Sequence, residues 1–374
     1  MSKFSKDTKR WIFYNFYVKP KYLADLILNP AKYYNQPSFF PEQRRKSNFR
    51  IWLDQVCETL KYGYPNQFYF PYGFDVKHTD EIKEYLHYAP FMHKRDMLNS
   101  DTNTTKAILR NKMLFAIFTD FFGIKSAFNY GVSQQEGIFD FKKKELVQFE
   151  DFFHGIEKAN LFIKPIDGEC GEGIFTLEIE NGIIYPLSKI CINFSCIIEC
   201  LKSHRCLIQE KLVQHNVLSN LHPESINTIR LVTIRNQKTK KVEVFPSILR
   251  IGTGKSFVDN TSQGGIAVGI DLNSGQLCQY GFYKPGYGTK VENHPNSGIK
   301  FSDIFIPYFK ECKEQAILLH NMLPDLQAIG WDIAIGKESP IFIEGNDNWE
   351  INGPQICNGG LKSKFFDLLY DTNA

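Results

Sequence analysis

The stretch WDIAIGKESPIFIEGN, residues 331–346, contains two short apolar runs that are separated by a polar turn. Its β-branched and aromatic residues favour two neighbouring antiparallel strands, at residues 331–335 and 340–344. Because side chains alternate between the two faces of a strand, Glu344 and Asn346 share one face. With Asp332 they would supply three oxygen ligands of the kind that magnesium prefers. For Asp332 alone, an outward polar position on a hairpin is the simpler explanation.

A glycine-rich segment follows a predicted strand at residues 162–164. Glycine lets backbone amides approach phosphate oxygens, and Lys164 adds a positive charge at the end of the strand, so the segment suits a nucleoside triphosphate. It is neither a Walker A loop nor a Rossmann turn, because no GK[ST] follows and the next element, at 174–180, is a strand. A plain hairpin loop is the alternative for the segment alone. The glycines are Gly168, Gly171 and Gly173.

Two arginines lie in apolar predicted strands, Arg230 at 228–235 and Arg250 at the end of 243–251. Arginine is the natural clamp for phosphate or carboxylate, so an anionic partner is expected, with a solvated strand position as the alternative. Candidate amide donors to a developing negative charge follow along the chain, and they are Asn260, Gly264 and Gly265. A scaffold role is an equal alternative for these three.

The chain is expected to divide near the polar stretch NSDTNTT, residues 99–105. Residues 1–104 are dense in aromatic residues and proline, which predicts a helical, loop-rich accessory or substrate region. Residues 105–374 mix helices with short strands, an α+β arrangement. The predicted helices are 22–28, 50–62, 106–122 and 304–323.

The composition excludes several classes of protein. With 374 residues and 43% hydrophobic residues, the chain is an ordinary globular protein. Its net charge of +3 is too small to imply a nucleic-acid or membrane surface, so a small-molecule partner is expected. No apolar run is long enough to span a bilayer and no secretory signal is evident, which predicts a cytoplasmic location. The 32 Phe and 18 Tyr favour large cores over an aromatic substrate groove.

The nine cysteines indicate reduced thiols. Their one cluster lacks the CxxC spacing of structural zinc, so buried helix cysteines are the better explanation. Three histidines are expected to be isolated surface or loop residues. The clustered cysteines are Cys191, Cys196, Cys200 and Cys206, and the histidines are His215, His222 and His294.

The order of these motifs resembles the ATP-grasp superfamily, and within it the carboxylate ligases, over about residues 105–360. The resemblance includes Lys112 in a helix, Lys164 before the glycine segment, the strand IQEKL at 208–212, and the arginines and oxygen ligands described above. The N-terminal motifs YGY, at 62–64, and FPYGF, at 70–74, also resemble the branch called sugar-transfer associated ATP-grasp.

The resemblance implies an ATP-grasp fold in which two α+β lobes clamp ATP, with a small lobe at 150–215 and a C-terminal lobe at 216–374. It implies that Lys112 and Lys164 contact the α and β phosphates, and that Arg230 and Arg250 steady the transferred phosphate and an acyl phosphate. The residues implied for the adenine slot are Gln209, Glu210 and Leu212, and those for Mg²⁺ are Asp332, Glu344 and Asn346. Many members have a second acidic residue just before the glutamate, whereas in this chain Gly345 separates Glu344 from Asn346 and Asp347 follows.

The expected function is that of an ATP-dependent carboxylate–amine ligase that forms an amide through an acyl phosphate. The resemblance places it in surface polysaccharide or sugar-conjugate biosynthesis, with a sugar or sugar nucleotide and an amino acid as expected substrates. One alternative is a small-molecule kinase on the same scaffold. Another is a non-catalytic nucleotide-binding subunit of a polysaccharide assembly complex.

Overall fold

The computed structural model describes residues 14–99, 103–166, 173–187 and 193–369, which form helices and two antiparallel sheets. The helices are α1 (Lys19–Leu28), α2 (Ala31–Tyr34), α3 (Asn48–Tyr62), α4 (Thr79–Lys83), α5 (Tyr88–Leu98), α6 (Asn103–Arg110), α7 (Lys112–Phe121), α8 (Phe149–His154), α9 (Phe194–Ser203), α10 (Asn216–Leu221), α11 (Phe309–Asn321), α12 (Asn352–Asn358) and α13 (Lys362–Leu369). A π-helical turn, Tyr14–Val18, precedes α1. The mixture of helices and antiparallel sheets confirms the predicted α+β class.

The strands belong equally to the two sheets. They are β1 (Asn129–Gln134), β2 (Gly137–Asp140), β3 (Glu145–Val147), β4 (Lys158–Pro165), β5 (Phe175–Glu180), β6 (Ile183–Pro186), β7 (Cys206–Glu210), β8 (Thr228–Arg235), β9 (Val242–Ile251), β10 (Ile266–Ile270), β11 (Leu277–Tyr283), β12 (Lys290–Val291), β13 (Ala328–Ile335) and β14 (Pro340–Asn346).

The first sheet has the strand order β3-β2-β1-β7-β4-β5-β6. One face packs on α8 and α9 through a core that includes Phe153, Leu177 and Ile208. The opposite face carries Lys164 beside Leu207, because these two residues are direct partners on β4 and β7. The sheet already begins at Asn129, upstream of the lobe boundary expected at 150.

The second sheet has the order β12-β11-β10-β9-β8-β13-β14. Its inner strand β13 is buried along its whole length and is paired on both sides, with β8 and β14. On one face Trp331 and Phe342 join a core that includes residues of α11, and on the other Trp349 and Phe365 form a second core. The strands around the candidate site are therefore held rigidly.

The N-terminal helices dock against the second sheet and the helices on it. The Tyr72 hydroxyl donates to Asn352 Oδ1 at 2.7 Å, and Arg95 Nη1 donates to the Trp349 carbonyl at 2.7 Å. The aromatic residues of the FPYGF motif are buried in one apolar cluster with Phe39 and Phe282. Burial gives these aromatic side chains a packing role, and it removes them from a substrate groove.

Several predictions of local structure need correction. The helix predicted at 106–122 is two helices, because the Asn111 side chain accepts from the amides of Met113 and Leu114 and caps a new helix. Helix α11 begins at Phe309 instead of at 304. Of the clustered cysteines, Cys206 lies on a strand and Cys191 lies outside the described residues.

The prediction of isolated surface histidines is wrong for His222 and His294. Both are buried, and their rings lie 5.7 Å apart. His294 Nε2 lies 2.8 Å from the carbonyl oxygen of Gly252, and His222 Nε2 lies 3.2 Å from that of Gly254. The pair thus anchors the segment after β9.

Within the described part of the chain, no helix combines the length and the hydropathy of a membrane span.

Candidate active site

A row of charged side chains crosses three strands of the second sheet. Asp332 on β13 is the direct partner of Arg230 on β8 and of Glu344 on β14. Directly opposed residues of neighbouring strands face the same side, so the strand register alone brings the three side chains together. Arg230 Nη2 donates to Asp332 Oδ2 at 3.1 Å. A bulge after Asp332 places Glu344 in this row.

A second arginine completes the charged cluster from β9. Arg250 Nη2 donates to Asp332 Oδ2 at 3.0 Å and to Thr228 Oγ1 at 2.6 Å. Its Nε atom lies 3.6 Å from Asp259 Oδ2, which also accepts the Thr228 amide at 2.9 Å. The sequence reasoning missed Asp259 and Thr228. Their only signal was the burial expected for a strand arginine, which calls for an anionic partner.

The pKa values of the two central carboxyl groups, those of Asp332 and Glu344, are shifted in opposite directions. Burial alone would raise the pKa of Asp332, but the guanidinium groups of Arg230 and Arg250 outweigh it and hold the pKa below its usual range. Burial, and next the Asp332 charge, raise the pKa of Glu344. Asn346 Nδ2 donates to Glu344 Oε1 at 3.3 Å. Glu344 is therefore the carboxyl group that gains most from an added cation.

Lys164 joins this cluster from the first sheet. It is buried, and burial together with the Lys112 charge lowers its pKa to about 8, against the attraction of Glu344. Lys112 is the first residue of α7, and its amide donates to the Ile166 carbonyl at 3.2 Å. The two lysines expected to contact phosphates are thus brought to one place, near one of the expected metal ligands.

The residues expected to line the adenine slot lie at the end of β7. Gln209 is buried and donates to Asn129 Oδ1 at 2.7 Å, whereas Glu210 is exposed and Leu212 is half-buried. A cavity of about 470 Å³ lies beside them, between α7 and the first sheet. Its walls include Met113, Phe128, Asn129, Phe141 and Leu207.

The glycine segment is only partly described. Gly173 has a φ of +70°, and an added Cβ would lie 3.0 Å from Pro165 Cγ, so glycine is required there. Gly168 and Gly171 lie outside the described residues.

The backbone amides of the turn that carries Asn260 form hydrogen bonds within the turn itself. Asn260 Oδ1 accepts from the Ser262 amide at 3.0 Å, and the Gly265 amide donates to the Asn260 carbonyl at 3.1 Å. Gly264 has a φ of +91° and its amide donates to Thr261. These bonds favour the scaffold alternative, in which the three residues hold neighbouring Asp259 beside Arg250, and their role as donors to a developing negative charge stays a prediction.

A further ion pair joins α6 to the end of β14. Arg110 Nε and Nη2 each donate to an Asp347 carboxylate oxygen at 2.8 Å, and Asp347 is buried. The pair fixes the chain just before Lys112 against the chain just after Asn346. Sequence reasoning noted Asp347 only as a neighbour of the metal ligands, since nothing local identifies a partner 237 positions away.

Several solved structures are similar to this chain at low sequence identity. Among solved structures, N5-carboxyaminoimidazole ribonucleotide synthetase in its ADP complex is 10% identical, with 64% of this chain and 45% of that chain covered and a TM-score of 0.37. D-Alanine-D-alanine ligase from Helicobacter pylori is 12% identical, with 70% and 57% covered and a TM-score of 0.38. The ATP-grasp ligase PsnB with its minimal precursor is 14% identical, with 72% and 61% covered and a TM-score of 0.38.

The chain thus spans between 45% and 61% of the length of these solved proteins. No curated protein sequence gave a significant match. The decisive comparison is with a family model described as sugar-transfer associated ATP-grasp, which matches residues 94–365. That range covers both sheets and every residue of the charged cluster. The chain belongs to the sugar-transfer associated ATP-grasp family.

Proposed function

We propose that the protein is an ATP-dependent carboxylate–amine ligase, which phosphorylates a carboxylate and passes the acyl group to an amine. The observation that carries this proposal is the buried cluster in which Lys164, Arg230 and Arg250 meet Asp332 and Glu344. It joins the two sheets and combines cations for phosphate with carboxylates for a metal. Phosphoryl transfer needs this kind of positioning and charge stabilisation and requires no protein nucleophile.

The donor set fits Mg²⁺. Glu344 and Asp332 are adjacent carboxyl groups, and burial together with the Asp332 charge raises the pKa of Glu344, an effect that a bound cation would oppose. Mg²⁺ in nucleotide sites is held by one or two carboxylates together with phosphate oxygens, and Asn346 adds an amide oxygen. When bound, the ion neutralises charge on the β and γ phosphates. In this proposal Asp332, Glu344 and Asn346 hold it.

The lysines and arginines of the site would then bind different parts of the reacting groups. Lys164 and Lys112 neutralise the phosphates from the side of the first sheet, and burial of Lys164 strengthens its attraction for an anion. Arg230 and Arg250 are held by Asp332, which keeps their planar groups oriented for the transferred phosphoryl group and the acyl phosphate. Gln209, Glu210 and Leu212 would line the adenine slot at the end of β7.

The substrate class follows from the family and the arginines. The family description, sugar-transfer associated, supports a carboxylate on a sugar or sugar nucleotide and a role in polysaccharide or sugar-conjugate synthesis. The guanidinium pair suits a uronate or a diphosphate. The buried FPYGF aromatics lend no support to this assignment. Dependence on ATP supports the expected cytoplasmic location.

Hydroxylamine trapping tests the reaction. With ATP, Mg²⁺ and a panel of uronic acids, nucleotide sugars and amino acids, we expect ADP release and a hydroxamate, because only an acyl phosphate reacts with hydroxylamine in this way. A phosphorylated acceptor without hydroxamate would establish the kinase alternative, and no turnover with any acid would favour the non-catalytic subunit.

The metal assignment has a matched pair of variants. Glu344→Gln removes the charge at β14, whereas Glu338→Gln removes one from the exposed turn before that strand. We expect the first to lower ADP release at least about a hundredfold and the second to leave it unchanged. Equal activity of both variants would refute the role of Glu344.

A further inference from the structure

The positive charge of the chain is concentrated at its N-terminal end. Residues 1–32 contain seven Lys and Arg but two Asp, a net charge of +5, whereas the whole chain carries +3. The remaining residues are therefore slightly acidic. The net charge of the whole chain is too small to imply a membrane surface, but it includes this local basic region.

The same region exposes apolar side chains. Ile27 and Leu28 on α1 are 69% and 77% exposed, and Phe16 and Tyr17 in the preceding turn are 72% and 61% exposed. Tyr17, Lys21 and Leu28 follow at intervals of four and seven residues, so they lie on one side of the helix. They line a common cavity of about 700 Å³ with Tyr22 and Lys32.

The opposite side of α1 is anchored. Leu26 is fully buried, and its carbonyl accepts from Trp52 Nε1 on α3 at 2.8 Å. The acidic residue of the helix is neutralised locally, since Lys32 Nζ lies 2.6 Å from Asp25 Oδ2. The helix therefore presents an outward face that is apolar, aromatic and basic, and that is supported from behind.

We propose that this outward face, formed by Phe16, Tyr17, Lys21, Ile27 and Leu28, binds peripherally to the surface of an anionic lipid bilayer. Basic helices with aromatic and aliphatic side chains lie at such interfaces because the apolar groups enter the headgroup region while the lysines attract anionic lipids. A second copy of the chain is disfavoured, because two faces of like charge would meet. Nucleic acid would leave Ile27 and Leu28 without an apolar contact.

Vesicle co-sedimentation of the full-length protein tests the proposal. We expect binding to phosphatidylcholine vesicles that contain phosphatidylglycerol, weaker binding as salt is raised, and little binding to pure phosphatidylcholine. The variant Lys21→Gln should bind about fivefold more weakly, since each lysine near an anionic bilayer accounts for about a fivefold change. The variant Ile27→Ser/Leu28→Ser should also lose most of the binding.

Matched control variants distinguish vesicle binding through this face from nonspecific adsorption. Lys142→Gln/Lys143→Gln removes two exposed lysines from the turn between β2 and β3, and Leu146→Ser/Ile183→Ser removes two exposed apolar side chains from the first sheet. Both should bind vesicles as the unsubstituted protein does. Unchanged thermal unfolding would show that all four variants are folded.

Three results would overturn the proposal. The first is equal binding to charged and uncharged vesicles, and the second is an equal loss in the control variants. The third is that the unsubstituted protein dimerises, that the Ile27→Ser/Leu28→Ser variant does not, and that neither protein binds vesicles. This result would identify a second copy of the chain as the occupant of the face.

Discussion

Arg250 provides a direct test of how the charged cluster is held together. Its guanidinium lies 3.0 Å from Asp332 and 3.6 Å from Asp259, and its side chain is 19% exposed. Burial opposes its charge, but Asp259 and Asp332 hold the pKa of Arg250 above its usual range. Replacing it with Met keeps much of the volume and removes the charge that balances two buried carboxylates.

The expected loss in the free energy of unfolding depends on which counter-charges Asp332 and Asp259 retain in the variant. Asp332 keeps Arg230, but Asp259 loses the one charged side chain within salt-bridge distance among the described residues. Removing one partner from a buried ion pair costs about 3–5 kcal/mol. Because only one of the two carboxylates is left without a counter-charge, we expect Arg250→Met to lower the free energy of unfolding by about 3 kcal/mol.

Urea unfolding at neutral pH measures this change, and a double-mutant cycle locates it. Adding Asp259→Asn should recover about 2 kcal/mol, because the amide can stay hydrogen-bonded to Thr228 without a buried charge. Arg235→Met, on an arginine with no carboxylate within salt-bridge distance in the described part of the chain, serves as the comparison. If Arg250→Met unfolds like the unsubstituted protein, or if Asp259→Asn restores nothing, the electrostatic account of this cluster is refuted.

Three other predictions concern the turn after β9, a buried histidine and the α6 ion pair. Gly265→Ala should destabilise the protein by about 2 kcal/mol in urea unfolding, because its Cβ would lie 2.6 Å from the Asp259 carbonyl oxygen, whereas Gly353→Ala meets only the movable end of Ile248 and should cost less. Burial lowers the pKa of His320 to about 4, so the unfolded chain binds more protons and stability should fall by about 2 kcal/mol from pH 7 to pH 5, a drop that His320→Gln should remove. Arg110→Met should weaken ATP binding about tenfold in calorimetry without changing the fold, and an unchanged affinity would contradict the positioning role of the Asp347 pair.

The sequence predicted the second sheet well and the first sheet in part. Strands β8 and β13 were predicted because their apolar runs are continuous and rich in β-branched residues, as inner strands require, and the apolar run of β14 predicted the edge strand beside them. Strands β1 to β3 were missed because residues 129–147 contain many polar and charged residues, although only β3 lies at the edge of the sheet. Periodicity could not reveal the break at Asn111, since apolar residues continue across it.

The residues of the candidate site were also predictable only in part. Arg230, Asp332 and Glu344 were predicted because each interrupts an apolar strand, which is a local signal. Asp259 and the pair of Arg110 and Asp347 carry no local signal, because their partners come from distant parts of the chain. The buried histidines were misjudged for the same reason, since His222 and His294 meet only through the fold.

The charges of the cluster also explain why a nucleotide suits it better than a purely structural role does. An apolar set of similar volume would hold the strands at least as well, because removing ions from water costs several kcal/mol each. Two groups remain poorly compensated: the pKa of Lys164 is lowered and that of Glu344 is raised, and burial is the largest cause of both shifts. An anion beside Lys164 and a cation beside Glu344 would relieve both at once. A magnesium nucleotide carries both charges in one ligand, which supports the proposed ATP-dependent reaction at this junction of the two sheets.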